Sequence, residues 1–365
     1  MPKVLMLLGS YDIAAHSGIA RAAKELGWHL DVSVLKTFRL PENWRGDGII
    51  CSLNNNPRLA NFVRRSRIPA VDLSIWRKDL RLPRVVADNE EIGRLAAEHL
   101  RSFGHRNFVW FALTNDPVGE ARCRGFREGL GSRRMNLVRL DRGGGGSPEV
   151  VGRRLSEMEL PVACFAKSDD EAAWLMNVTL EVGLKVPEDV AILGVDNNPL
   201  ICNYQPVSLS SVNHDLERIG YEGARLLGHL MQGGRAPEAV QKVKPNGVTR
   251  RESTDLWAVS DPLVREALET MRTSLRKAEG VDAIAGRLSV SRRLLEKRFQ
   301  AALGVAVHQK RLEMRLEEGE RQVRGSDAQI EDIAVQCGFC HAAHFSTAFR
   351  KKFGLSPSRY RRALD

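Results

Sequence analysis

The sequence has 365 residues, a formal net charge of +10 and 43% apolar residues, enough for two or three domains with real cores. No run of 18 uncharged apolar residues occurs, so no spanning helix is expected. Six scattered cysteines at 51, 123, 164, 202, 337 and 340 set out no disulfide framework and fit a reducing cytoplasm. The opening MPKVLMLLGSYDIAAHSG has only a short apolar run, so VLMLL reads as a first buried strand and export is not expected.

From Lys3 to about Arg250, short apolar runs alternate with amphipathic segments. The pattern predicts strands at Val4–Leu8, Leu30–Val34, Gly48–Cys51, Ala70–Leu73, Phe108–Phe111, Leu137–Leu140, Val162–Phe165, Val190–Val195 and Leu209–Val212. Helices are predicted at His16–Leu26, Asn89–Phe103, Gly119–Leu130, Asp169–Val182 and Asp215–Met231. Such alternation implies parallel α/β sheets. Gly143–Gly146 is expected to be a loop; without a following Lys-Ser/Thr it lacks what a phosphate-binding P-loop needs. Residues 1–250 are thus expected to form one domain and 251–260 a linker. Asp261 and Pro262 are the N-cap and first residue of a helix to Lys277 that opens a second domain, 261–365.

In that second domain one pattern occurs twice, as VDAIAGRLSVSRRLLEKRF (Val281–Phe299) and IEDIAVQCGFCHAAHFSTAF (Ile330–Phe349). Ile284-Ala285 aligns with Ile333-Ala334, Leu288 with Cys337 and Val290 with Phe339. With one extra residue in the second turn, Leu295 falls on Phe345 and Phe299 on Phe349. Each copy reads as a short helix, a turn and a second helix, the helix-turn-helix layout whose second helix enters the DNA major groove. Ser291 is placed to cap the first such helix. Ala306–Arg324 between the copies is expected to be a helix spanning about 25 Å, so the two reading helices could approach successive major grooves about 34 Å apart. Residues 261–365 carry 20 Lys/Arg against 14 Asp/Glu, and Arg350–Arg362 has six basic residues and no acid. Alone, that charge would be a solvated basic face; beside a doubled helix-turn-helix it fits a phosphate-contacting surface.

This stretch resembles the DNA-binding domain of AraC/XylS-type transcription regulators. The matching residues are Ile284-Ala285, Val290-Ser291, Leu295, Phe299 and Gly304, then Ile333-Ala334, Gly338-Phe339, Phe345, Phe349-Arg350-Lys351, Gly354, Pro357 and Tyr360-Arg361. Earlier landmarks resemble the LacI-type ligand-binding fold shared with periplasmic sugar-binding proteins. Among them are Asp88-Asn89, Gly104-His105, Arg122-x2-Gly125-Phe126-Arg127, Ser168-x-Asp170, Val186–Asn197 and Ser210-Ser211-Val212. The expected architecture is an α/β two-lobed, periplasmic-binding-protein-like domain followed by an all-α domain with two helix-turn-helix motifs. The lobes would be joined by crossovers near Asp88, near Asn213 and before Gln241. Taken together, the two halves resemble the xylose-responsive operon activators, with Tyr11-Asp12, Asp88-Asn89, the RRESTD stretch and LEKRF as shared features.

The resemblance implies a ligand between the lobes, where strand C-termini and helix N-termini converge. The residues it points to are Asp12, Asn55, Trp76, Arg122, Asp169 and Asp196. Asp169 is implied to be a better candidate than Asp170. Lys167 departs from the smaller residue the resemblance leads one to expect. Bland alternatives stand beside each: Asp12 as an N-cap, Arg122 as a surface charge, Asp196 as a turn cap, and most tryptophans as core. On the reading helices, Leu295 and Phe299 face inward, leaving Arg292, Arg293, Glu296, Lys297 and Arg298 outward. Arg293, Glu296 and Lys297 match the family's base-reading positions; Arg suits guanine and Glu can accept from cytosine. His341, Ala343, His344, Ser346 and Thr347 take that place in the second motif, with fewer polar groups to discriminate bases. Arg350, Lys351, Lys352, Arg359 and Arg361 are expected to hold phosphates.

Cys337-Gly-Phe-Cys340-His341 matches the haem-attachment pattern, and His344 admits a zinc reading. Cys337, however, occupies the slot of Leu288 and Phe339 that of Val290, so both are expected in the core. No metal and no cofactor are therefore expected. The partners implied are a double-stranded DNA operator, a sugar effector such as D-xylose, a second copy in a homodimer, and RNA polymerase if the protein activates; no membrane is implied. Rival readings are a different small metabolite, a repressor, an exported transport protein, and a DNA-repair enzyme carrying a similar DNA-binding domain. No catalytic Ser/His/Asp or Cys/His set supports an enzyme.

Overall fold

The computed structural model describes residues 1–37, 39–42, 44–131, 136–141, 147–255, 259, 261–277 and 279–362. The Gly143–Gly146 loop, and 256–258 and 260 of the expected linker, lie outside them. The chain forms two compact units, Met1–Leu256 and Trp257–Asp365.

The first unit opens with β1 (Lys3–Leu8), α1 (Ile13–Glu25), β2 (His29–Asp31), α2 (Ser33–Thr37), β3 (Gly48–Ser52), α3 (Pro57–Ser66) and β4 (Ala70–Asp72). These strands form a parallel sheet in the order β2-β1-β3-β4. The chain then crosses over through β5 (Val85–Ala87) and α4 (Asn89–Ser102). A second lobe follows with β6 (Asn107–Ala112), α5 (Pro117–Leu130), β7 (Asn136–Asp141), α6 (Pro148–Ser156) and β8 (Val162–Ala166). It continues with α7 (Asp169–Glu181), β9 (Val190–Val195), α8 (Pro199–Cys202) and β10 (Ser210–Val212). The chain returns through α9 (Leu216–Met231) and β11 (Gln241–Val243), then comes back as β12 (Val248–Thr249).

The second sheet runs β12-β10-β9-β8-β6-β7, and only β12 is antiparallel. Helices cover both faces, which is why β8 and β9 are buried at every residue and read as continuous apolar runs. β11 pairs with β5 on the first lobe, whose core holds Val85 and Val243, whereas β12 pairs with β10 on the second. The third crossover therefore lies after Val243, at 244–247, and not before Gln241 as the sequence suggests. Gly247, at φ 100°, makes the bend, and its carbonyl accepts from the Asn213 amide at 2.9 Å. Among the boundaries that moved, two in the first lobe have a local cause. α1 starts at Ile13 because the Asp12 carboxylate accepts from the Ala14 and Ala15 amides. β2 stops at Asp31, whose Oδ1 accepts from Ser33 N and diverts the chain into α2.

In the second unit α10 spans Pro262–Thr273, capped by Asp261 as expected. It stops short of Lys277, where the Lys277 amide turns back to the Ser274 carbonyl, and arginines of a later helix hold the carbonyls of the segment that follows. Arg311 donates to Ser274, Lys277 and Glu279 oxygens, and Arg315 to those of Leu275 and Lys277. α11 (Val281–Arg287) and α12 (Arg292–Leu303) form the first repeat, and α13 (Val307–Gly325) the connecting helix. At 19 residues, α13 is about 28 Å long. α14 (Ile330–Gln336) and α15 (Ala342–Phe353) form the second repeat, and α16 (Pro357–Arg362) closes the unit. Ile284, Leu295 and Phe299 are fully buried in one repeat, as are Ile333, Cys337, Phe345 and Phe349 in the other. Cys337 is therefore core, as its alignment with Leu288 requires. Among the described residues no cluster of three or more His, Cys, Asp or Glu could hold a metal.

Candidate functional site

The second lobe brings Arg122, Asp169 and Asp196 together at the C-terminal ends of β8 and β9. Arg122, on α5, is almost fully buried, so it is not a surface charge. It donates to Asn89 Oδ1 at 2.9 Å and to the Lys167 carbonyl. α5 reaches this depth because it packs against α4 almost backbone to backbone: a Cβ on Gly125 would lie 1.9 Å from the Glu90 carbonyl oxygen.

Asp169 is fully buried and saturated. It accepts from Ser211 Oγ at 2.6 Å, the Asn198 amide at 2.8 Å and Cys202 Sγ at 3.2 Å. It therefore braces the loop after β9 from below, with few acceptor sites left for a ligand. Asp196 heads that loop in the left-handed region, at φ 117°, followed by Asn197 at φ 53°. Two consecutive non-glycine residues in that region are costly, and such strain concentrates at functional sites. The Asp196 side chain is 30% exposed, and its Oδ1 lies 3.2 Å from Nδ1 of buried His214. Burial holds His214 far below the usual imidazole range, helped by the Arg122 charge, so the ring is neutral near pH 7.

Burial also raises the Asp196 carboxyl, as do the charges of Asp169, Asp12 and Asp170, with Arg122 opposing. Burial raises Asp169 too, against its hydrogen bonds. A carboxyl raised in the folded state adds stability that is complete below the unfolded value of about 4 and is lost as pH rises through the folded value. Asp196→Asn is therefore expected to flatten the decline in first-unit stability above pH 4, and to raise its unfolding temperature at pH 8 more than at pH 5. Unfolding curves of full-length protein at the two pH values check this; equal shifts would contradict it.

Lys167, the residue the resemblance did not fit, points back into its own lobe. Its Nζ lies 2.5 Å from Thr114 Oγ1 and 2.8 Å from both Asp116 Oδ2 and Glu171 Oε1. Against the effect of burial, the hydrogen bonds and charge of these two carboxylates hold its ammonium above the usual range. His214, Asn89, Asp116 and Glu171 were not singled out as site residues from the sequence. Asn89 alone carried a signal, the Asp88-Asn89 landmark.

From the first lobe, Asp12 is an N-cap, and its charge adds to the upward push on the Asp196 carboxyl. Asn55 is exposed in the turn after β3. Trp76 is half-buried in the loop after β4. That loop is clamped from behind by Arg84, which donates to the Arg77 carbonyl at 2.5 Å and the Leu80 carbonyl at 2.8 Å and lies 3.5 Å from buried Asp72. Trp110 and Trp174 are core, the latter stacked on Phe111 at 5.4 Å.

On α12, residues advance about 100° each, so Arg293, Glu296 and Lys297 project away from buried Leu295 and Phe299, and all three are exposed. Gln300 shares that face and is exposed; it was not among the expected readers, although helical spacing alone could have found it. Arg292 bridges Asp282 and Glu296, each at 2.9 Å, and so fixes the carboxylate of Glu296. Arg298 lies to the side, and its guanidinium grips both oxygens of the α10 cap Asp261. On α15, Ala343, Thr347 and Arg350 share the outward face, and Ser346 is half-buried. His341 caps the helix by position and His344 packs edge-on against Phe339 at 5.4 Å.

Three of the expected DNA contacts thus have other work. Arg298 fastens α10. Lys352 pairs with Glu317 of α13 at 2.8 Å. Arg361 donates to the carbonyls of Val323 and Ala328, at 3.1 and 2.8 Å, and ties α16 to the α13–α14 joint. Sequence gives the angular position of a side chain on its own helix, not the partner waiting on the next one. Lys351 and Arg359 are exposed.

Residues 97–254 match the family model of the periplasmic binding protein-like domain, and residues 284–363 that of a helix-turn-helix domain. The xylose operon regulatory protein of Haemophilus influenzae is 26% identical over 333 residues, covering 86% of this chain and 84% of its own. That of Escherichia coli K12 is 25% identical over 370 residues, covering 96% and 94%. The solved structure of the xylose-binding transcription activator xylR superposes with a TM-score of 0.63 at 22% identity, over 99% of this chain and 98% of that one. The buried pattern repeated in α11–α12 and α14–α15, the two-lobed unit before it and these similarities agree. The chain belongs to the DNA-binding transcription regulators that join a LacI-type, periplasmic-binding-protein-like domain to an AraC-type double helix-turn-helix.

Proposed function

We propose that this regulator responds to a free sugar, D-xylose, held between the lobes of its first unit, and that it activates sugar-catabolic genes from a double-stranded operator. The observation that carries the ligand class is the state of the two cations: the Lys167 ammonium is already engaged by Asp116, Glu171 and Thr114, and the buried Arg122 guanidinium by Asn89 and the Lys167 carbonyl. Such a lining suits an uncharged ligand rich in hydroxyls, each both donor and acceptor, better than a phosphate or carboxylate. Asp196 and Arg122 take the central roles, Asp12, Asn55 and Trp76 close the opposite side, and Asp169 holds the loop. The xylose operon regulators similar over most of the chain favour the pentose.

Lobe closure on the sugar changes the presentation of the DNA-binding units in a homodimer, in proportion to the sugar's preference for the closed state. The activator then contacts RNA polymerase. No cofactor or catalytic step enters this reading, and the protein acts in the cytoplasm.

Calorimetric titration of the full chain with D-xylose, against D-glucose, L-arabinose and D-ribose, tests it. Saturable binding of xylose alone is the expected result; no heat with any of the four removes the sugar reading. For the DNA side, Arg293→Ala is expected to weaken operator binding about 10- to 100-fold and to relax base preference at one position. Arg298→Ala lowers the unfolding temperature of the second unit and leaves base preference unchanged. Binding to an operator library, with thermal unfolding alongside, separates the two. Loss of base preference in Arg298→Ala would reverse the assignment.

A further inference from the structure

Residues 251–255 fall in the expected linker, yet they are built into the second lobe. Ser253 and Thr254 are fully buried. Ser253 Oγ donates to the Ile192 carbonyl at 2.6 Å and accepts from the Ser210 amide at 2.8 Å. Thr254 Oγ1 lies 2.7 Å from Ser210 Oγ and 2.9 Å from His99 Nε2. Arg250 lies over the Phe103 ring and pairs with Asp255. A flexible tether needs none of this.

Arg251 reaches from this segment to the loop that carries Asp196. Its three guanidinium nitrogens donate to three places: Nη2 to Asn197 Oδ1 at 3.0 Å, Nη1 to the Leu209 carbonyl at 2.9 Å, and Nε to Asn203 Oδ1 at 3.0 Å. Its own backbone is fixed to Ser210 Oγ through both amide and carbonyl. On the far side, the Asn197 amide donates to Ser211 Oγ at 2.9 Å, and that hydroxyl donates to Asp169. The left-handed Asp196–Asn197 turn and the segment that enters the second unit are thus two ends of one hydrogen-bonded network. A turn held in a sparsely populated conformation stores strain that its surroundings must hold in place.

We propose that Arg251 is a positioning residue that couples the effector loop to the exit segment: a ligand that shifts the Asp196–Asn197 turn moves residues 251–255 through this guanidinium. The ligand arm of its test rests on the sugar reading above; the rest does not.

Hydrogen–deuterium exchange of the full chain reads both ends. Without ligand, Asn197→Ala is expected to speed exchange at 251–255, and Arg251→Met at 197–198, each about tenfold, the scale of one hydrogen bond to a charged group. Because Arg251→Met already removes the contact that Asn197→Ala removes, the double variant exchanges no faster at 251–255 than Arg251→Met alone. Additive effects would overturn the proposal. With saturating D-xylose, wild type changes exchange at both segments, whereas Arg251→Met changes only at 196–198. Arg251→Lys, which keeps the charge but loses the three-way fork, behaves as Arg251→Met does, and guards against a misfolded variant. A response at 251–255 that persists in both variants overturns the coupling. A wild type whose 196–198 loop ignores all four sugars overturns the sugar reading instead, and the ligand-free cycle then decides the coupling alone.

Discussion

Asp196→Ala is expected to weaken D-xylose binding by roughly 30- to 700-fold, at about 2–4 kcal/mol, on the reading that this carboxyl bonds ligand hydroxyls. Two terms combine. On this reading the ligand loses a hydrogen-bond partner, and buried Arg122 loses the neighbouring carboxyl that opposes its desolvation beside a neutral His214. Asp169→Ala also weakens binding, but through a different cause: it releases the Asn198 amide and Ser211 hydroxyl, so the loop loosens and the unfolding temperature falls with the affinity. Calorimetry and thermal unfolding on both variants separate a ligand-binding from a loop-bracing role. An Asp196→Ala protein that binds xylose as wild type does would remove Asp196 from the site.

The largest effect on folding is expected from Gly125→Ala. The added methyl carbon would sit 1.9 Å from the Glu90 carbonyl oxygen and 2.7 Å from its carbon, both backbone atoms that cannot turn aside. α4 and α5 must separate, at about 3 kcal/mol or more, which for a unit of this size lowers its unfolding temperature by about 6–12 °C. Arg122 stands on the displaced helix, so sugar affinity falls too. Gly119→Ala is the control on the same helix, since its nearest neighbour, at 3.1 Å, is a side-chain carbon of Lys167 and not backbone; it should shift unfolding far less. Unfolding of the full chain reads both, with the second unit's transition as the internal reference. Equal, small shifts would mean that α4 and α5 are not in such close contact.

The helix repeat and the strand–helix alternation were legible because both are set by periodic burial, which a chain carries in its own order. Phe345 and Phe349, or the unbroken apolar run of β9, announce themselves. Arg122 and Asp196 could be placed only by resemblance, because what makes them a group is the approach of α4 to α5 and a positive φ at an aspartate. Neither is a local preference. Arg298, Lys352 and Arg361 mark the same limit from the other side: each carries the charge expected of a DNA contact and spends it on a neighbouring helix. The exit segment was hidden for a similar reason, since Arg-Glu-Ser-Thr-Asp is polar enough to pass for a tether, and its partners lie some forty residues or more away.

Of the six cysteines, five are buried and Cys340 is exposed, directly before His341 at the head of α15. The protein therefore carries its own single attachment point for a thiol-reactive dye, with no engineering needed. A fluorophore placed there would sit beside the second reading helix and change its emission as that helix meets a duplex. Protection of the thiol by DNA would in turn report engagement of the second motif independently of the first. The chain is, in this sense, already built as its own optical probe.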